Sequence, residues 1–536
     1  MNFTTIDLVV FAGWILFMIC LGLWLSREKQ DTTQDYFLAS KSLPWWAVGG
    51  SLIASNISAE QFIGMSGSGY VVGMAIASYE LMAALTLIII AKFFLPVFLK
   101  KGIYTMPQFL EQRYDNRVRT GLAIFWVLLF VFVNITSVLY LGGLALKTIM
   151  GIPLIYGVIG IALFASTFSI FGGLRAVVWT DVVQVVVLIL GGLLASYLVL
   201  NALGGSFFGG FEMLVQKAPE KFDMILDKAN PEYINLPGIS VLIGGMWIAN
   251  IYYWGTNQYI IQRALAAKNL KEAQNGTIFA AFLKVLLPLI VVIPGIAAFV
   301  LGADIERPDE AYPWVLNNYV TVGFKGLTFA ALIAAIGSSL SSMVNSTSTI
   351  FTLDIYRPFF MKWDKEHDQL LDAHEHDSKQ LNPKEELHLV RVGKIAAAAS
   401  LVIGVVVAPL LGNLDQAFQY IQEYTGFISP GVVAVFLMGL FWKRSSTGAA
   451  LTAVILAIPL SAGFKFLAPG LPFIDRMGIC FIILIAVMVV ISLIENKAAD
   501  SKAIEIDKSL FKTSQVFNIS AVVIFGVLAA IYAVFW

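Results

Sequence analysis

Charged residues are scarce in this chain of 536 residues. They make up 13% of it, about half of the roughly 25% that is usual for a soluble domain. Lys and Arg together number 35, and Asp and Glu also number 35, so no net charge attracts the chain to nucleic acids. The shortage of charge also excludes an intrinsically disordered protein, because disorder requires a high share of polar and charged residues.

Cysteine and histidine are rare as well. The two cysteines, Cys20 and Cys480, both lie in apolar runs, which favours inert buried thiols and excludes a disulfide-stapled secreted fold. Three of the four histidines lie in one polar stretch, 357–387. That stretch could hold a metal ion, but a solvated linker is the favoured interpretation because no cysteine or second ligand cluster accompanies it.

Two motifs of other transport proteins are missing or out of context. No G-x-x-x-x-G-K-[ST] sequence occurs, so transport driven by ATP hydrolysis in this chain alone is not expected. The run TVGFK at 321–325 resembles a potassium-channel filter, but it ends in lysine and lacks a pore-loop context. We therefore set aside a pump and a potassium channel.

Apolar residues, by contrast, make up 58% of the chain, and the mean hydropathy is +0.80. They form blocks of about 20 residues or more, which is the length of a membrane-spanning helix. The blocks do not alternate with period two, so an all-α membrane protein is predicted rather than a β-barrel. The first block has no preceding basic segment and no cleavage site, which indicates a span and not a signal peptide. The sequence predicts fourteen spans: 7–26, 45–72, 74–100, 119–147, 152–171, 176–204, 237–263, 275–302, 321–356, 388–411, 414–441, 446–468, 473–495 and 514–536.

Basic residues predict the orientation of these spans. With the N-terminus outside, 25 of the 35 Lys and Arg residues fall in inward loops and eight in outward loops, while Lys92 and Lys284 fall within spans. Because basic residues concentrate on the cytoplasmic side, this distribution supports fourteen spans with both termini outside. We therefore expect a multi-pass protein of the plasma membrane.

The second and seventh spans contain helix-breaking polar sequence. The second reads SLIASNISAEQFIGMSGSGY, and we expect an interruption near Ala54 to Ser58 that leaves carbonyls facing a protein-lined cavity. The seventh, GGMWIANIYYWGTNQYIIQR, carries polar or small residues at 250 and 255–258. Interrupted helices at matching places in two halves are typical of the binding site of a secondary transporter, and ordinary kinks in an unrelated bundle are the alternative.

Each interrupted span begins a block of five, at 45–204 and 237–441. Because five is odd, the two blocks have opposite topology, which predicts an inverted five-helix repeat. The remaining spans are one extra N-terminal helix at 7–26 and three extra C-terminal helices within 446–536. Together they form one transporter domain over 1–536.

Adjacent serines in the ninth span, Ser338 and Ser339, can offer two hydroxyl oxygens near one point. Hydroxyls and freed carbonyls suit a sodium ion, because a hard monovalent cation prefers oxygen ligands. The alternative is that these small residues only allow helices to approach closely.

The eleventh span places an aromatic ring and an amide on one helical face, since Phe418 and Gln422 are four residues apart. A ring that packs on a sugar face, with amides and charges for its hydroxyls, is the chemistry of a sugar site. Glu80 and Lys284, within the third and eighth spans, could supply the charged hydrogen bonds, or could simply pair with each other.

Several long stretches carry a resemblance to a known family. The chain resembles the sodium/solute symporters, and more narrowly the bacterial sodium/galactose (glucose) symporters, over essentially its whole length. The matching stretches are DYFLASKSLPWWAVGGSLIASNISAEQFIGMSGSGY, AVVWTDVVQ, WIANIYYWGTNQYIIQR and AFQYIQEYTGFISPG. The resemblance implies the inverted-repeat fold of the leucine-transporter type.

The resemblance also implies roles for individual residues. The residues that match the family's sugar pocket and its gates are Gln61, Met65, Tyr79, Glu80, Asn250, Tyr253, Trp254, Lys284, Phe418 and Gln422. The positions that match its sodium site are Ala54, Ile57, Ala335, Ser338 and Ser339. Asp181 matches an acidic residue on the inward sodium exit route.

The expected function is therefore sodium-coupled uptake of a hexose by alternating access, without enzymatic activity and without a cofactor other than the coupling ion Na⁺. The expected partners are a sugar, sodium and the lipid bilayer, with no nucleic acid; the oligomeric state is left open. A symporter of another small solute, such as an amino acid, a carboxylate or a vitamin, is the first alternative. A sodium-responsive membrane sensor is the second.

Overall fold

The computed structural model describes residues 3–27, 32–361, 383–411, 417–495, 502–505 and 507–536. Its elements are helices joined by short loops. The helices of the first half, in chain order, are α1 (Thr5–Leu25), α2 (Thr33–Leu38), α3 (Trp45–Asn56), α4 (Ser66–Val71), α5 (Met74–Lys100), α6 (Met106–Arg113), α7 (Asn116–Met150), α8 (Leu154–Thr167), α9 (Gly173–Gly204) and α10 (Phe207–Lys217).

The second half continues in the same way. Its helices are α11 (Ser240–Ile243), α12 (Met246–Ile251), α13 (Gln258–Leu265), α14 (Leu270–Val300), α15 (Ala311–Tyr319), α16 (Phe324–Phe360), α17 (Pro383–Leu411), α18 (Ala417–Thr425), α19 (Ser429–Phe441), α20 (Thr447–Leu467), α21 (Phe473–Ile494) and α22 (Gln515–Val534). In the described ranges, ten helices are long and apolar enough to cross a membrane by length and composition. The other four predicted spans correspond to shorter or broken helices, and the count of fourteen stays a prediction.

The second predicted span is broken between α3 and a π-helical turn at Glu60–Met65. Ile57 leaves the helical region with φ −72° and ψ 95°. The next amide, that of Ser58, donates to the side-chain Oε1 of Gln61 at 3.1 Å and not to the carbonyl one turn back. The amide of Gln61 in turn donates to the Ser58 carbonyl. The carbonyls of Ala54 and Ile57 therefore lose their helical partners, as the sequence predicted for this region.

The seventh predicted span is also broken, but the interruption covers fewer residues than the sequence predicted. A π-helical turn at Tyr252–Thr256 follows α12, and Asn257 leaves the helix with φ −78° and ψ 121°. Asn250 lies inside α12, because its Nδ2 donates to the Met246 carbonyl one turn back at 3.1 Å and so satisfies the amide without breaking the helix. Gln258 begins α13.

Helix α16 runs through the centre of the bundle, and nearly all of it is buried. Its N-terminus is capped by a carboxylate of the extra helix α1, since Asp7 Oδ1 accepts hydrogen bonds from the amides of Gly323 (2.7 Å) and Gly326 (3.1 Å). A negative charge at this end of a helix is stabilising. The filter-like run TVGFK is thus the capped start of a buried helix.

Candidate functional site

A cavity, with about 550 Å³ of empty space when the open solvent at its mouth is included, lies where the two broken helices meet α5, α14 and α18. The structure brings all ten residues of the expected sugar pocket to its wall. They are Gln61, Met65, Tyr79, Glu80, Asn250, Tyr253, Trp254, Lys284, Phe418 and Gln422. These residues come from six separate elements, so the cavity exists only in the folded bundle.

The charged residues of the cavity form an ion pair. Lys284 Nζ donates to Glu80 Oε2, and the two side chains are 1% and 3% exposed. The same ammonium lies 5.0 Å from the centroid of the Trp254 ring, within the range of a cation–π interaction. A buried charge needs a partner of this kind, because unpaired charges are costly away from water. Glu80 and Lys284 therefore pair with each other and both face the cavity.

Aromatic rings close the cavity at two places. Phe418 packs edge-on against Tyr79, with centroids 5.2 Å apart, and is almost fully buried. Tyr253 packs edge-on against Trp254 at 5.2 Å, and its hydroxyl accepts a hydrogen bond from Asn56 Nδ2 at 3.0 Å. The Asn56 bond ties one broken helix to the other next to the cavity.

The amides of the cavity are partly engaged with the backbone. Gln61 Oε1 accepts bonds from both the amide and the hydroxyl of Ser58 at 3.1 Å. Asn250 Nδ2 donates to its own helix. Gln61 therefore offers the cavity its NH₂ donors, and Asn250 offers its carbonyl oxygen.

The cavity also contains residues that sequence reasoning did not assign to it. Asn56 and Glu60 stood out only as polar residues of the second span, and both line the wall. Thr425, the last residue of α18, and Ser429, the first of α19, line it too. Met477 of α21 is a further wall residue, as are Ala83, Ala249 and Tyr252. An apolar residue in an apolar span carries no local signal, so nothing in the sequence marked Met477.

The expected sodium positions gather beside the break in the second span. The hydroxyl of Ser339 lies 3.2 Å from the Ala54 carbonyl oxygen and 3.4 Å from that of Ile57. Ala335 is buried one turn earlier on α16. Freed carbonyls and a hydroxyl from two helices are a suitable ligand set for Na⁺. Ser338, the fifth position, donates instead to Asp181 Oδ1.

Asp181 lies at the centre of a buried polar cluster that continues from these positions. Its Oδ2 accepts a hydrogen bond from Ser51 at 2.5 Å, and Arg263 Nη2 lies 3.8 Å away. Arg263 also donates to Ser342 on α16. The cluster thus joins α3, α9, α13 and α16 by charged and hydroxyl groups, all of them buried.

The part of the chain that the structure describes contains no group of three or more His, Cys, Asp or Glu side chains that could hold a metal ion. The stretch 357–387, considered above as a metal site, has its three histidines within 362–382, which lie outside the described residues.

Most of the chain matches a known protein family. The sequence profile of the sodium:solute symporter family matches residues 36–375 and 377–457. A sodium/glucose cotransporter of Vibrio parahaemolyticus is 52% identical, over 99% of this chain and 98% of its own length. Sodium/myo-inositol cotransporter 2 of Mus musculus is 32% identical, over 85% of this chain and 69% of its own length.

Solved structures resemble the fold. A sodium-coupled sialic acid symporter in a substrate-bound outward-open state superposes with a TM-score of 0.78, at 23% identity over 92% of this chain and 98% of that one. A nucleobase-cation-symport-1 transporter gives a TM-score of 0.57 at 15% identity, over 89% and 98%. These likenesses show an all-α membrane fold of the leucine-transporter type.

Proposed function

Because the chain belongs to the sodium:solute symporter family, we propose that it couples the inward movement of sodium to the uptake of a hexose, galactose or glucose. It is a multi-pass membrane transporter and not an enzyme, and sodium is the coupling ion. The observation that carries the sugar assignment is the cavity in which a Glu80–Lys284 pair, four amide side chains and five aromatic rings face one space.

The chemistry of the cavity fits a neutral polyhydroxylated ring. A hexose hydroxyl both donates and accepts, and the pair offers a carboxylate acceptor beside an ammonium donor. Gln61, Asn250 and Gln422 add amide groups, while the ring of Tyr253 can pack on the apolar face of a pyranose. Because Glu80 balances the one ammonium, the pair holds no net positive charge for a carboxylate substrate.

Sodium would bind at the carbonyls of Ala54, Ile57 and Ala335 and the hydroxyls of Ser338 and Ser339. A cation there bridges the broken second span and α16, and so favours one arrangement of the bundle. Moving one charge inward across 100 mV releases about 2.3 kcal/mol, which is about fiftyfold in accumulation before the sodium gradient is counted. Coupling is reciprocal, so sodium tightens sugar binding by the same factor as sugar tightens sodium binding.

Sodium leaving inward would pass Asp181, which lies next to Ser338. Alternating access would follow from movement of one five-helix block, 45–204, against the other, 237–441. We place the protein in the plasma membrane with both termini outside, on the distribution of basic residues.

The direct test is uptake of labelled galactose into proteoliposomes that contain the full chain. Uptake is expected with an inward sodium gradient and not when potassium replaces sodium; equal uptake in both salts would refute the coupling. Glu80→Ala is expected to abolish uptake, and wild-type uptake by this variant would remove Glu80 from the site.

Competition identifies the cargo. Unlabelled glucose, galactose and myo-inositol are expected to compete with the labelled sugar, whereas proline and sialic acid are not. Inhibition by the amino or carboxylic acids alone would favour a symporter of another small solute. Sodium-dependent binding without any flux would favour a membrane sensor.

A further inference from the structure

One side of the cavity is formed by α18, which carries three of its wall residues and is called the lid helix below. Helix α18 supplies Phe418 and Gln422, and the residue after Gln422 is a glutamate. Glu423 is not a wall residue of the cavity. Its Oε1 accepts a hydrogen bond from Arg476 Nη2 of α21 at 2.7 Å and lies 3.1 Å from Lys465 Nζ of α20.

Helices α20 and α21 lie outside the two predicted five-helix blocks, yet Lys465 and Arg476 on them contact Glu423 of the lid helix. The Arg476 side chain is only 6% exposed, against 28% for Glu423 and 29% for Lys465. A bond from a buried guanidinium is stronger than an exposed ion pair, because less of its charge is screened by water. Arg476 is therefore the principal anchor and Lys465 a secondary one.

Aromatic rings extend the same contact beyond α18. Tyr424 and Phe427 stack with centroids 5.6 Å apart and planes 9° apart. Lys465 Nζ lies 4.7 Å from the Tyr424 centroid, and the Arg476 guanidinium lies 5.4 Å from that of Phe427. Lys465 and Arg476 thus contact both Glu423 and the aromatic rings that follow it. These contacts restrict movement of α18 relative to α21.

Helix α21 also reaches the cavity itself. Met477, next to the anchoring arginine, lines the wall and is 2% exposed. A methyl group added at Gly426, just after α18, would stand 2.8 Å from the Met477 sulfur. The turn that follows α18 is therefore tightly packed against Met477 of α21 at this point.

From these contacts we propose that Arg476 is a positioning residue for substrate binding: through Glu423 it fixes the lid helix α18, and so the Gln422 amide and the Phe418 ring, over the sugar. This proposal rests on the proposed function for its substrate. An accessory helix thus sets the affinity of the pocket, although the anchoring side chains do not touch the substrate.

The first test measures sodium-dependent galactose uptake by Arg476→Gln, Glu423→Gln and the double variant in proteoliposomes. Each single variant is expected to raise the sugar KM about fivefold or more, with kcat changed less, the size expected for a mostly buried charged hydrogen bond. The double variant is expected to be no worse than the singles, and Arg476→Lys to recover part of the affinity. An unchanged KM in both singles, or losses that multiply in the double, would overturn the proposal.

A matched control is Arg117→Gln. Arg117 pairs with Asp115 at the same 2.7 Å, but its side chain is 74% exposed and far along the chain from the lid. This variant is expected to keep the wild-type KM. A rise in KM equal to that of Arg476→Gln would show that loss of any arginine weakens the preparation.

The second test needs no sugar and so separates this proposal from the proposed function. Amide hydrogen exchange across residues 417–425 is expected to become faster in both single variants, while exchange within α16 stays as in the wild type. Unchanged exchange in the lid would overturn the anchor even if galactose is transported. Faster exchange without galactose uptake by the wild type would refute the cargo and support the anchor.

Discussion

The buried pair of Glu80 and Lys284 can be taken apart one charge at a time. Glu80→Gln leaves a buried ammonium without its carboxylate, and Lys284→Met leaves a buried carboxylate without its ammonium. With both side chains at most 3% exposed, each single change is expected to lower the free energy of unfolding by about 3–5 kcal/mol. Lys284→Met also removes the cation–π contact with Trp254, which is worth up to about 2 kcal/mol when desolvated.

The double variant is expected to recover most of this loss. Neutral residues of similar volume need no counter-charge, so replacing both partners is often nearly neutral. The coupling free energy between the two positions is then close to the sum of the two single losses, about 6–10 kcal/mol, because each single variant leaves a buried charge without its partner. Uptake should not recover with stability, because the sugar loses both charged partners.

The assay is a denaturant titration in mixed micelles of the four proteins of the cycle, with sodium-dependent uptake measured in parallel. Lys92→Met is the control, since Lys92 lies on the same helix as Glu80 and its Nζ is 5.6 Å from the Phe93 ring. It should cost no more than about 1 kcal/mol. If the losses of unfolding free energy in the two single variants simply add in the double variant, the two charges do not stabilise each other. Galactose uptake by the double variant would show that the two charges do not bind sugar.

Three further predictions follow from other contacts. Asp7→Ala removes the carboxylate that caps α16 and should destabilise the protein by about 1–2 kcal/mol. The stability of Asp7→Asn should lie between those of the wild type and Asp7→Ala, and a wild-type thermal unfolding temperature for Asp7→Ala would contradict the capping role. Arg113→Gln should cost about 2–3 kcal/mol, because its guanidinium donates to carbonyls at the end of α19, such as that of Gly439 at 2.9 Å; an unchanged unfolding midpoint would rule this out. Ser339→Ala should raise the sodium concentration for half-maximal stabilisation without sugar about tenfold, the effect of about 1.4 kcal/mol, and an unchanged sodium titration would remove its hydroxyl from the ion site.

The features that could be predicted from the sequence are those in which charged or polar residues, which are costly inside a membrane, stand in an apolar span. Glu80 and Lys284 stood out because charges are rare in apolar spans, and the structure places them against each other. The break near Ser58 stood out because polar residues that compete for backbone bonds are concentrated there. In both places one residue type conflicts with its surroundings, and the conflict is visible without coordinates.

Other features depend on contacts that no local pattern encodes. Asp7 caps a helix that begins more than 300 positions later, and nothing in its own position in the first turn of α1 indicates that contact. Met477 reaches the cavity through the packing of α21 on α12 and α19, which no local pattern in its own span encodes. Asn250 was expected to help break its helix, yet an asparagine can also bond the carbonyl one turn back, and sequence does not distinguish the two arrangements.

The break in the second span is held open by a side chain rather than by a glycine or a proline. The Ser58 amide, which in a regular helix would donate to the Ala54 oxygen, donates instead to the carboxamide oxygen of Gln61, just after Ile57 has left the helical backbone region. One glutamine thus maintains the oxygens proposed for the ion while its nitrogen faces the space proposed for the solute. The proposed ion site and the proposed solute site thus share the carboxamide of Gln61. A change at one site reaches the other through this one side chain.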